Sequence, residues 1–111
     1  MRFSLFIHME RYDDSISHEE HFENLVELTQ LAEEGGFTTV WIGEHHSMEY
    51  TISPNPIPQL AYLAARTKTI RLGSGTIIAP FWDPIRAAGE TALLDVPFYS
   101  FYFNKFIAIR A

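Results

Sequence analysis

The 111-residue chain contains no cysteine. That excludes disulfides, a thiolate nucleophile and thiolate metal ligation, and leaves any metal site to His, Asp and Glu. Positive charge is also scarce: eight Lys and Arg face fourteen Asp and Glu, for a net charge of -6. The eight cations are scattered, and phosphate backbones are held by clustered ones, so a nucleic-acid partner is not expected. No apolar run reaches membrane-span length, and the short run Phe3–Ile7 gives way to His8 and Glu10 before it could serve as a signal-peptide core. The expectation is a cytoplasmic protein with no membrane partner. What remains is ordinary soluble usage, 47% hydrophobic and 20% charged, in a chain long enough for one domain or part of one with its own core.

Phe3–Ile7 reads as a first strand, followed by a polar loop carrying Glu10, Arg11, Asp13 and Asp14. Ser17-His-Glu-Glu20 is a capping-box pattern that opens an amphipathic helix. Phe22, Leu25, Leu28 and Ala32 form its expected apolar stripe, Glu19, Glu23, Glu27 and Glu34 its solvated face, and Gly35-Gly36 its left-handed stop. Thr38 to Ile42 follows, β-branched and aromatic, as a strand expected to be buried on both faces. A loop from Ser47 to Pro56 is longer than a minimal strand-to-helix connection, the kind of segment that contacts substrates or simply decorates the surface. Pro58 suits the first turn of a second helix with Leu60, Leu63 and Ala64 on its apolar face.

Ile70–Ile78 reads as a third strand broken by Gly73 and Gly75. Glycine weakens a strand, which implies a bulge, tight packing or close approach of a flat ligand. Asp83-Pro84 caps a third helix whose expected core positions are Ile85, Ala88, Ala92 and Leu93. The order β-α-β-α-β-α implies a parallel sheet with helical crossovers, either doubly wound or closed into a barrel. Then the character changes: Pro97–Ala111 holds six aromatic residues, and a strand pair about Asn104-Lys105 is one reading of it.

The chemistry-bearing stretch is Thr38–Ser47, where the second strand ends in Glu44, His45 and His46. Strand ends are where α/β folds keep reactive side chains. By itself the triplet reads as a strand running into a solvated loop. As a metal site it is unpromising, because neighbouring side chains on extended backbone point to opposite faces and the helical His-Glu-x-x-His spacing is absent.

Several separated motifs, in order, change the weight of that stretch: Gly-Phe-Thr-Thr-Val-Trp-Ile-Gly-Glu-His-His, then Asn-Pro, Thr-Lys-Thr-Ile-Arg-Leu-Gly-Ser-Gly-Thr, Asp-Pro-Ile-Arg and Leu-Leu-Asp. From Met1 to about Val96 the chain resembles the N-terminal part of the bacterial luciferase-like, flavin-dependent monooxygenases. The resemblance implies the N-terminal β-α-β-α-β-α portion of a (β/α)8 TIM barrel with its site at the C-terminal ends of the strands. It implies reduced FMN as cofactor, a small organic substrate oxygenated with dioxygen, and a separate flavin reductase as partner. His45 matches the catalytic base, Glu44 and the pair Gly75-Thr76 match positions beside the flavin ring, and Gly75-Thr76 matches a non-proline cis peptide. His46 would support the first two. Imidazole exchanges protons near neutral pH, which suits His45 to that role.

Where the family turns through a Gly-Arg-type stretch into its fourth strand, this chain reads Val96-Pro97-Phe98-Tyr99-Ser100, and no arginine can be assigned to the flavin phosphate. The expected division is a partial barrel domain over 1–96 and a divergent aromatic tail over 97–111 left by truncation or a frameshift. Two alternatives accompany the monooxygenase reading: a non-catalytic partial barrel that self-associates, and a deazaflavin-dependent reductase of the same fold.

Overall fold

The computed structural model of the chain describes residues 1–99 and 106–109. Strands and helices alternate as β1 (Ser4–Ile7), α1 (His18–Glu34), β2 (Thr39–Ile42), α2 (Pro56–Arg66), β3 (Arg71–Ser74), α3 (Pro84–Tyr99) and β4 (Phe106–Ile109). Among the described residues they form one sheet in the order β1-β2-β3-β4, with every neighbouring pair parallel. A doubly wound sheet reverses its strand order at a switch point, whereas a barrel adds each strand beside the last. The strictly sequential order therefore settles the choice that alternation leaves open: this is barrel winding, carried part of the way round.

The register stacks Leu5, Val40 and Leu72 in one row and Ile7, Ile42 and Ser74 in the next, all on the helix-covered face. Val40, Ile42 and Leu72 are completely buried there with Leu25 and Leu63 from the helices, each large side chain contributing about 1.5–3 kcal/mol. The opposite face carries the row Phe6, Trp41 and Gly73, and Phe6 remains 41% exposed. β2 is thus covered on one face and only half-covered on the other, not buried on both as its composition suggests, because the far side of a barrel is filled by strands from across the barrel.

Ser17 caps α1 by accepting the Glu20 N–H at 3.0 Å, and Gly36 at φ +76° turns the chain out of the helix. The buried stripe is Leu25, Val26, Thr29 and Ala32. Leu28 lies off this stripe and is 48% exposed, while Phe22 sits at its edge against Tyr62. Glu19, Glu23, Glu27 and Glu34 are exposed. α2 begins two residues earlier than Pro58 suggests, at Pro56, because Asn55 takes the cap by accepting the Ile57 N–H.

The third strand is shorter than the run Ile70–Ile78. It ends at Ser74, the Gly75–Thr76 peptide bond is cis, and a 3-10 turn at Ala79–Phe81 leads into α3. Asp83 caps α3, accepting the N–H groups of Ile85 and Arg86 at 3.0 Å each. The expected α3 core does not form: Ile85 is 84% and Leu93 68% exposed, Ala88 and Ala92 are exposed, and Leu94 is the buried residue. The helix packs against α2, so among the described residues the side turned toward α2 is the one that finds cover. α3 also runs through the Val96–Pro97 division, and β4 lies parallel to β3. Asn104 and Lys105, the centre of the expected strand pair, lie outside the described residues.

Candidate functional site

The C-terminal ends of β1, β2 and β3 converge with the loops that follow them. The loops after β1 and β2 brace each other: Glu10 and Thr51 form an antiparallel bridge, and the Arg11 N–H donates to the Tyr50 carbonyl at 2.6 Å. Ser53, in the long loop, accepts the His45 N–H on its carbonyl at 2.8 Å and donates its hydroxyl to the Gly43 carbonyl. Gln59 on α2 holds that loop in turn through the Ile52 carbonyl. The backbone on both sides of Glu44 is therefore fixed by α2 and its preceding loop. Neither Ser53 nor Gln59 stands out in the sequence, since both belong to ordinary polar positions of a loop and a helix start.

The triplet separates, as alternation on extended backbone requires. Glu44 points to one side, where its fully buried carboxylate accepts the Ile78 N–H at 2.8 Å, the Trp82 indole N–H at 3.0 Å and His46 Nε2 at 2.6 Å. Burial opposes ionisation of Glu44, but the hydrogen bonds from His46, Ile78 and Trp82, with the charge of His46, outweigh it and hold its carboxyl below the usual glutamate range. His46 is half-exposed and meets the Phe81 ring edge-on at 4.9 Å. Glu44 and His46 thus serve the segment between β3 and α3, the segment that carries Gly75 and Thr76.

His45 points to the other side. Its Nε2 lies 3.2 Å from Nδ1 of His8, at the end of β1, and the His8 ring stands edge-on to Phe6 with centroids 4.3 Å apart. A Cβ on Gly43 would come within 3.1 Å of His45 Nε2 and 3.4 Å of Phe6 Cζ, so the missing side chain is what lets the two rings share that space. His8 was not among the sequence candidates, because nothing links it to His45 across 37 residues until β1 and β2 pair.

Beside these rings lies a cleft of about 370 Å³ lined by Phe6, Trp41, Gly75 and Thr76. A Cβ at Gly75 would meet Phe6 Cε2 at 3.0 Å and Trp41 Cβ at 3.4 Å, so the glycine keeps this aromatic wall flat. The structure brings Gly75, Thr76 and His45 to this side, joined by Phe6, Trp41 and His8, and turns Glu44 away from it. A planar aromatic ring system fits such a bed, with apolar walls and exposed backbone. Among the described residues no group of three or more His, Asp or Glu is arranged to hold a metal ion, and no helix is long and apolar enough to cross a membrane.

Residues 1–96 match the family described as luciferase-like monooxygenase. The chain is 51% identical over 96 residues to the oxygenase component of the flavin-dependent trigonelline monooxygenase of Acinetobacter baylyi, covering 86% of this chain and 27% of that protein. It is 39% identical over 79 residues to the alkanal monooxygenase alpha chain of Photorhabdus laumondii, covering 71% of this chain and 22% of that one. Monooxygenase RslO1 from Streptomyces bottropensis shares its structure with a TM-score of 0.80 at 34% identity, over 96% of this chain and 32% of that one. The oxygenating constituent of 3,6-diketocamphane monooxygenase from Pseudomonas putida, solved in complex with FMN, shares the fold with a TM-score of 0.81 at 23% identity, over 100% of this chain and 30% of that one. The chain spans less than a third of the length of each.

Proposed function

Because the chain belongs to the luciferase-like monooxygenase family over residues 1–96, we propose that it forms a flavin-facing wall for oxygenation of a small organic substrate by reduced FMN and dioxygen. The observation that carries this reading is the flat cleft of Phe6, Trp41, Gly75 and Thr76, with the His45 ring and the tip of Phe6 meeting over Gly43. Reduced FMN, when bound, supplies the electrons that activate dioxygen. Gly75 and Thr76 would lie against its ring, and Phe6 and Trp41 would keep water from that side. His45 would hold or move a proton at the edge of the cleft, the role imidazole performs near neutral pH.

Glu44 enters this reading as a positioning residue. Its oxygens are occupied by Ile78, Trp82 and His46, so it acts on the cofactor by fixing the segment that carries Gly75 and Thr76. The relative at 51% identity is named for trigonelline and as an oxygenase component, which makes trigonelline the first substrate to test and a separate flavin reductase the expected electron source. The test is a fluorescence titration of the soluble chain with FMN under reducing and oxidising conditions, with a deazaflavin in parallel. Saturable, stoichiometric FMN binding weakened by Gly75→Val supports the proposal. Absence of binding, or a preference for the deazaflavin, overturns it.

A second reading has its own observation. Leu31, Ile85, Leu93 and Val96 are each more than half exposed, as expected of a non-catalytic partial barrel that covers its bare faces by self-association. Oligomers that bind no flavin would favour this reading.

A further inference from the structure

We propose that His8 is the positioning residue for His45: the His45 Nε2–H donates to His8 Nδ1, which holds the His45 ring in place and leaves its Nδ1 as the unprotonated nitrogen. This deepens the role proposed for His45 and rests on it. The two rings approach through Nδ1 of His8 and Nε2 of His45, 3.2 Å apart, a distance at which one hydrogen lies between the nitrogens. Neutral imidazole favours the Nε2–H form. With His45 as donor and His8 as acceptor both rings keep that form, whereas the reverse direction would force both into the less stable one.

The surroundings select the same arrangement. Phe6 supports the His8 ring edge-on, Gly43 clears the space that the His45 tip occupies, and Ser53 fixes the His45 backbone. Because His8 follows β1 and His45 follows β2, their meeting depends on the parallel register in which Ile7 pairs with Ile42. His8 is exposed and His45 half-buried, so a single hydrogen bond links the half-buried ring to one in contact with solvent. Fixing the second ring nitrogen of a working histidine through a partner is a recurring way to set its tautomer.

The test is nitrogen-15 NMR of the histidine rings in the intact chain and in two substitutions. His8→Asn places a side-chain oxygen near the position of Nδ1 and retains an acceptor; His8→Phe keeps the ring packing on Phe6 and removes it. The expected result is a resolved nitrogen–nitrogen coupling across the hydrogen bond in the native chain, with the proton on His45 Nε2. A slowly exchanging His45 Nε2–H should persist in His8→Asn and be lost in His8→Phe. Identical His45 signals in all three proteins, or a proton residing on His8 Nδ1, would overturn the assignment. FMN titration of the same samples separates the two ideas: loss of flavin binding with the coupling intact counts against the proposed function alone.

Discussion

At the scale of the residue, Glu44 shows how a position can matter to a site without facing it. Its buried carboxylate ties the end of β2 to Ile78 and Trp82, and removing the charge leaves those donors with a weaker acceptor. Glu44→Gln is expected to cost about 1.5–3 kcal/mol, the range for hydrogen bonds to a charged group, measured by denaturant unfolding. Trp82 fluorescence should change in the folded protein, since the indole N–H is one of the donors. The folded carboxyl is held below its ordinary range, so its contribution is present above the unfolded glutamate pKa and is lost as pH falls through the lower folded value. Native stability should therefore fall in acid more steeply than that of Glu44→Gln, and parallel curves would count against this role. Gly75→Ala probes the other side of the same segment. Its Cβ would press on Phe6 at 3.0 Å, an overpacking cost of about 1–3 kcal/mol, and should weaken flavin binding more than stability if the cleft is the flavin bed.

At the scale of the element, what was legible in the sequence is what short-range chemistry determines. Ser17 and Asp83 cap α1 and α3 as the sequence implies, and the alternation of strands with helices is enough to imply a parallel sheet. The lengths of β3 and the buried stripe of α1 were less legible, because they depend on which faces other elements cover. Leu28 and Val26 are equally apolar, and only packing decides that Val26 is buried and Leu28 exposed. Of the site, Gly75, Thr76 and His45 were reached through resemblance, whereas His8, Phe6 and Ser53 depend on strand register and loop closure. Glu33 is the same kind of long-range contact at the opposite end of the sheet. From the last turn of α1 it accepts the N–H groups of Lys68, Thr69 and Ile70, clamping the turn that launches β3. Burial raises its pKa, but the hydrogen bonds from Thr69, Ile70 and Lys68 prevail and hold it low. Glu33→Gln should destabilise the chain by about 1–3 kcal/mol while leaving FMN affinity unchanged, because the clamp lies at the far end of the strands from the cleft. A fall in affinity larger than the change in folded fraction would overturn that separation.

At the scale of the whole molecule, the sheet has one helix-covered face and one face of mixed cover, and the outer helices carry exposed apolar side chains. Ile85 at 84%, Leu93 at 68% and Leu31 at 54% exposure are hard to reconcile with a surface evolved to face water, since monomers rarely cluster large apolar groups there. In a closed barrel each helix is flanked on both sides, and among the described residues α3 packs against α2 on one side. The same residues therefore serve as reporters of what covers them. Ile85→Lys with Leu93→Lys should change the unfolding free energy by no more than about 0.5 kcal/mol if these positions face solvent. If instead the bare faces meet in a second copy, the substitutions should lower the molecular weight measured by light scattering. A large loss of stability accompanied by dissociation would mean that the exposed face of α3 is core in the assembled protein, and that burial in the single chain understates what holds the fold together.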